Sequence, residues 1–132
     1  MAAGRYSFVI EQGATLDFEI AYTDASGNAI DLTNHSGRMQ IKDSYGSSTT
    51  HITLSSSISP DGTGLNFSGS NNDNSPVSGT IGIFISANSS SLLNFSEAVY
   101  DLEIVSGSTY PVVTRVLEGK IRLSKEVTTG NY

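Results

Sequence analysis

Three features of this 132-residue chain predict an all-β fold, a single antiparallel β-sandwich of seven to nine short strands. Apolar side chains recur at every second position in most segments, the period of a strand with one buried and one wet face. Turn-forming residues interrupt those segments every eight to twelve residues or so, the spacing of sandwich strands. No segment sustains a helical period, and strands that follow one another without crossover helices exclude a doubly wound parallel sheet. A small barrel is the alternative architecture.

The elements follow in order. Tyr6, Phe8 and Ile10 alternate with Ser7, Val9 and Glu11; Gln12-Gly13 then breaks the run, and Leu16, Phe18, Ile20 and Tyr22 resume it. That pattern predicts two strands joined by a glycine turn. Asp24-Ala25-Ser26-Gly27-Asn28 closes the second, and residues 30–32 are a short extended stretch that sends one side chain inward. Met39 and Ile41 face Ile52 and Leu54 across the polar turn of residues 44–49. Pro60-Asp61-Gly62 reverses the chain before a brief strand holding Leu65 and Phe67.

Residues 68–78 form the longest polar stretch and are expected to be a mobile surface loop. Ile81, Ile83 and Ile85 share one apolar face, with Gly82 and Phe84 marking close approach on the other. At most one short helical turn is expected, near residues 87–95, where Leu92, Leu93 and Phe95 would plug one end of the core. A hairpin ends the fold, residues 98–105 against residues 110–123, the second arm bending or changing partner near Gly119. The whole of residues 1–132 is thus read as one domain with short extended ends, 1–5 and 126–132.

Composition narrows the function. A chain of this length buries roughly two thirds of its unfolded surface, so one core suffices without staples. There is no cysteine, which excludes disulfides, zinc–thiolate sites and thiol nucleophiles. A net charge of −6 with seven scattered basic residues argues against nucleic acid as partner. No apolar run is long enough to span a bilayer and no secretory signal is evident, so a soluble chain with no membrane partner is expected. The Asn-x-Ser triplets at Asn34, Asn66, Asn88 and Asn94 are what an Asn- and Ser-rich chain produces by chance, not glycosylation sites.

Candidate chemistry is sparse. His35 and His51 lack further ligands at metal-site spacing, and no Gly-x-Ser-x-Gly elbow is present. Asp17 with Glu19, and Asp101 with Glu103, place two carboxylates on one strand face each. Were those strands neighbours, the pairs could flank a sugar at glycosidase distances. The wet face of a sheet accounts for them more simply, with Arg38, Arg115, Lys120 or Arg122 as cross-strand partners. The Asn71 to Asn74 run offers oxygens to calcium but lacks the glycine and glutamate of a calcium loop. Tyr6, Phe8, Phe18, Tyr22, Phe67, Phe84, Phe95 and Tyr100 fall mostly at inward positions, so aromatic packing is expected rather than a sugar-stacking platform. No catalytic residue, cofactor or metal is expected.

Three groups of segments, taken together, carry a resemblance. They are Gln12-Gly13-Ala14-Thr15-Leu16 leading to Tyr22-Thr23-Asp24; Ile30-Asp31-Leu32-Thr33 followed by Gly37-Arg38-Met39-Gln40-Ile41-Lys42; and Tyr100-Asp101-Leu102-Glu103-Ile104 with residues 114–121 and 124–128. The chain resembles small virion structural proteins of tailed bacteriophages and, more distantly, the amino-terminal immunoglobulin-like domain of baseplate upper proteins. The resemblance implies an immunoglobulin-like sandwich that is not an enzyme, a homo-oligomer in contact with larger phage structural proteins, localised to the virion after assembly in the host cytoplasm. No long fibre shaft follows Thr128, which favours an accessory subunit of the tail, baseplate or neck; a capsid decoration protein on the head is the alternative. A glycan-binding module of a host-recognition apparatus, using residues 68–78, is the alternative of another class. Arg5, Tyr6, Glu126, Val127 and Tyr132, at the two chain ends, are the expected assembly contacts.

Overall fold

The computed structural model describes residues 4–69, 78–107 and 110–128. Their strands are β1 (Gly4–Arg5), β2 (Phe8–Glu11), β3 (Leu16–Ala21), β4 (His35–Lys42), β5 (Thr50–Ser55), β6 (Gly64–Asn66), β7 (Thr80–Ile85), β8 (Glu97–Ser106) and β9 (Val112–Ser124), with a five-residue helix α1 (Ala87–Ser91) between β7 and β8. The larger sheet runs β1-β9-β8-β4-β5, with β2 also on β9; the smaller runs β3-β7-β6. Two stacked sheets with these strand orders make an immunoglobulin-like sandwich whose first strands lie on the larger sheet. All-β architecture, the number of strands and the single helical turn are as the sequence predicts.

The alternation works as expected wherever a strand has one wet face. In β8 the inward positions Ala98, Tyr100, Leu102 and Ile104 are buried, and Val99, Asp101, Glu103 and Val105 between them are not. Met39 and Ile41 of β4 and Leu54 of β5 continue that layer, and Ile81, Ile83 and Ile85 of β7 meet it from the smaller sheet. Leu32 is the side chain that dips inward from the stretch after β3. Leu93 and Phe95 plug one end of the core, whereas Leu92, expected with them, is exposed.

Two expectations are overturned. β2 and β3 are not a hairpin: β2 pairs with β9, while β3 pairs with β7 in the other sheet. The residues between them therefore carry the chain from one layer to the other. Nor is the sandwich wholly antiparallel, since β1 and β2 both run parallel to β9. Gly4 and Arg5, expected among the loosely held ends, are the strand β1. The period of two shows which face of a strand is buried but not which strand lies beside it, so both corrections concern partners.

The crossing is held at two places. At the first, β9 exchanges β1 for β2 around Gly119, as its glycine suggested. Tyr6, between the two short strands, donates its N–H to the Glu118 carbonyl at 2.9 Å and accepts the Tyr100 hydroxyl on its own carbonyl at 2.6 Å. A Cβ on Gly119 would overlap that Tyr6 carbonyl oxygen. The rings of Tyr6, Phe8, Phe18 and Tyr100 fill the gap between the sheets, Phe8 lying 5.2 Å from both Phe18 and Tyr100 in edge-to-face geometry.

At the second, Gln12 donates to the Leu93 carbonyl at 2.7 Å and accepts the Glu126 N–H at 3.1 Å. Ser90, fully buried in α1, accepts the Gly13 N–H at 3.1 Å and donates to the Ala14 carbonyl at 2.8 Å. Gly13 has φ 82°, a conformation that residues with a side chain rarely adopt, and its Cα faces the Glu126 carboxylate. Buried polar groups are stabilising only when bonded, and here the bonds tie the crossing segment to α1, to the loop after it and to the residues after β9.

Gly119→Ala is expected to destabilise the fold by about 1–3 kcal/mol, because the added methyl must displace the Tyr6 backbone. Tyr100→Phe, which keeps the ring and loses the hydroxyl bond, is expected to cost about 1 kcal/mol. Urea unfolding measures both. Hydrogen exchange should show the loss of protection concentrated in β1 and β2.

Candidate functional site

The outer face of the larger sheet carries most of the charged side chains that meet one another. Asp101 and Glu103 point outward from β8, and each has found a guanidinium. Arg38 on β4 places Nε at 3.2 Å and Nη2 at 3.1 Å from Glu103 Oε1. Arg115 on β9 brings Nε to 3.3 Å from Asp101 Oδ2 and Nη1 to 3.5 Å from Glu118 Oε2, and Arg5 on β1 lies 3.8 Å from Glu118. Of the four cross-strand cations expected, Arg38 and Arg115 take that role.

Arg115 does so through an irregularity in the ladder. Leu102 pairs with Leu117 and Glu103 with Arg115, so Val116 is an extra residue on β9. In the same ladder Asp101 faces Glu118, a like-charge pair that would repel. The guanidinium of Arg115 lies between these two carboxylates. Burial pushes the Asp101 carboxyl above its ordinary value, and Glu103 adds to that, against the opposing pull of Arg115.

The turn after β4 rises beside this charged floor. Ser44, Tyr45 and Gly46 wall a groove of about 460 Å³ whose floor includes Arg38, Gln40, Lys42, Asp101, Glu103 and Arg115. Tyr45 is 67% exposed. Sequence reasoning left this tyrosine out: it sits in a polar turn with no periodic neighbours, and only the curl of the turn beside the sheet face brings it to the groove.

A second polar cluster lies at the corner before α1. The Asp61 carboxylate accepts hydroxyl bonds from Ser86 at 2.6 Å and Ser89 at 2.8 Å, and the Thr63 N–H at 3.0 Å. Ser86 also caps α1 by accepting the Ser89 N–H at 3.1 Å. The two serine hydroxyls and the Thr63 amide hold the Asp61 carboxyl far below the ordinary carboxylate range. Histidine takes no part in these bonds; the cluster fastens the loop after β5 to the helix.

The other candidates are dispersed. Asp17 and Glu19 face outward from β3, in the opposite sheet from Asp101 and Glu103, so the two carboxylate pairs cannot flank one substrate. His35 opens β4 and bonds the Thr33 carbonyl at 2.9 Å through Nδ1, while His51, on β5 beside the other end of β4, meets Asp43 and packs on the Phe95 ring. Among the described residues, no three of His, Cys, Asp and Glu cluster closely enough to hold a metal, and no helix is long and apolar enough to cross a membrane. Asn71 to Asn74, Tyr132 and most of the loop of residues 68–78 lie outside the described residues.

Of the expected assembly contacts, Tyr6 and Glu126 are engaged within the chain, and Arg5 reaches Glu118. Val127 is 97% exposed. A different apolar surface stands at the turn end of the β8–β9 hairpin, where Tyr110 is 85%, Val112 63% and Val113 52% exposed. No protein-family model matches the chain, and no match to a curated protein was found.

Because the folded-state value of Asp61 is depressed, its bonds stabilise the protein above the ordinary carboxylate range, and that stability is lost as pH falls through it toward the folded value. Asp61→Asn should therefore lower Tm at neutral pH and flatten its fall on acidification relative to the wild type. Thermal unfolding from neutral pH into strong acid measures both. Arg115→Gln removes the cation between Asp101 and Glu118 and should move the Asp101 titration further upward, as followed by carboxyl NMR.

Proposed function

We propose that this chain is a non-enzymatic structural subunit of a bacteriophage virion, an accessory protein of the tail, baseplate or neck that acts through protein–protein contacts in a symmetric assembly. The observation that carries the protein–protein part is the apolar end of the β8–β9 hairpin. Tyr110, Val112 and Val113 expose large apolar side chains near the turn end of that hairpin, Val112 and Val113 on opposite faces of the strand. Large apolar side chains left in water at this end of the hairpin gain free energy when a neighbour covers them. The resemblance of the sequence to small phage virion proteins supplies the setting, and an immunoglobulin-like sandwich suits it.

Copies of the chain and a larger phage structural protein are the partners. Most charges on the outer face of the larger sheet are already satisfied within the chain, so that face brings little net attraction of its own. The hairpin tip offers the gain on association. A decoration protein of the head would use the same tip on a capsid lattice.

Mass spectrometry of purified particles of the phage that encodes the chain is expected to find it as a stoichiometric component, and cryo-electron microscopy to show the sandwich repeated around a symmetry axis. Particles lacking the chain would refute the proposal. Val112→Ser with Val113→Ser should leave the isolated domain folded, because both side chains are exposed, and should reduce incorporation into particles.

A further inference from the structure

We propose that the groove on the outer face of the larger sheet is a binding site for a neutral saccharide. This goes beyond the virion assignment and does not rest on it. A sheet face covered with paired charges is ordinarily a flat, solvated surface. This one is a concavity of about 460 Å³ because the turn of Ser44, Tyr45 and Gly46 stands beside it, and that volume falls in the range of small-molecule sites.

The chemistry of the lining selects the ligand. Arg38 directs Nε and Nη2 to a single oxygen of Glu103, so Nη1 of the arginine and Oε2 of the glutamate are left over as a donor and an acceptor within one ion pair. Arg115 and Asp101 repeat the arrangement: Nε and Nη1 are engaged by Asp101 Oδ2 and Glu118 Oε2, leaving Nη2 and Asp101 Oδ1. Gln40 adds an acceptor, since only its amide nitrogen is directed to Thr53, at 3.4 Å.

Each ion pair thus presents a donor beside an acceptor, the complement of a pair of vicinal hydroxyls. Asp101 and Glu103 are two residues apart on β8, which spaces their positions by about 6.6 Å along the strand, close to the span of one sugar ring, with Arg38 on one flanking strand and Arg115 on the other. At either ion pair an anion or a cation would have to compete with a partner already bonded, whereas a hydroxyl can bridge both members without breaking it; Lys42, which belongs to neither pair, is where an anion would bind instead. Tyr45 supplies a largely exposed aromatic ring at the wall, the apolar surface on which the C–H face of a sugar packs. The ion pairs also hold the polar groups in place before the ligand arrives, which lowers the ordering cost of binding.

The test is an NMR titration of the full isotopically labelled chain with cellobiose, maltose and N,N′-diacetylchitobiose at millimolar concentrations, and with inorganic phosphate in parallel. At least one disaccharide is expected to shift the amides of β4, β8 and residues 44–46 while leaving the smaller sheet unmoved. Tyr45→Ala and Gln40→Ala alter side chains outside the core, so both variants should stay folded, as their spectra will show, and should weaken that binding about tenfold. No shift with any disaccharide, shifts located elsewhere, or unchanged affinity in both variants would overturn the proposal. So would a response of the groove to phosphate alone, which would make it an anion site centred on Lys42. None of these results bears on whether the chain is found in particles, so the two proposals stand or fall separately.

Discussion

The fold depends on a crossing. The first strands lie on the larger sheet and the next strand on the smaller, so the chain must pass between layers within the few residues from Glu11 to Leu16. Such a segment has no ladder of its own to satisfy its backbone. Its backbone is satisfied by single bonds, Gln12 N–H to the Ser124 carbonyl, Ala14 N–H to the Glu11 carbonyl, and Ser90 Oγ to Gly13 N–H and the Ala14 carbonyl, while the Gln12 side chain ties the segment to Leu93 and Glu126 and the Tyr100 hydroxyl holds Tyr6 just upstream. All but the Ala14–Glu11 turn bond join residues far apart in sequence, so they form only once both sheets are in place. The aromatic cluster of Tyr6, Phe8, Phe18 and Tyr100 then fills the side of the sandwich that the crossing leaves open.

This division explains what the sequence disclosed. Alternation is a local property, so Ile81, Ile83 and Ile85 or Ala98, Tyr100, Leu102 and Ile104 announce their buried face directly. The β8–β9 hairpin was legible for the same reason, both arms being contiguous and joined by a short connection. Pairing between β2 and β9 was not, because parallel partners separated by almost the whole chain share no turn whose residues would betray them. Gln12-Gly13 looks like a hairpin turn because the layer change makes the same demand on backbone conformation as a reversal would. Gln12 gave no sign that both ends of its amide would be used.

The charged face shows the same contrast. That Arg38 and Arg115 would answer Asp101 and Glu103 follows from their outward positions, and needs no more than the period of two. That Arg115 would serve two carboxylates does not, because it follows from the extra residue at Val116, which shifts the ladder by one and sets Glu118 opposite Asp101. Tyr45 is further still from local legibility. Its position depends on how the β4–β5 turn leaves the sheet, and that in turn reflects the irregularity between Ile41 and Lys42, where His51 is the extra residue on β5.

Both irregularities adjoin the groove, and their effects are complementary. The one in the β8–β9 ladder lets a guanidinium neutralise two facing carboxylates, so that the floor is polar without strong net charge of either sign. The one in the β4–β5 ladder perturbs the edge strand β5 just after the turn that makes the wall. A sheet face with regular ladders and no turn standing beside it would be flat. The hairpin tip needs neither device, since exposure alone makes Tyr110, Val112 and Val113 available. Two surfaces of different chemistry therefore coexist on one sheet, an apolar tip that gains by losing water and a polar groove whose groups must stay hydrated or be bonded. A single partner large enough to cover both would have to satisfy the groove with polar groups of its own, whereas a partner seated on the tip alone leaves the groove open to small solutes.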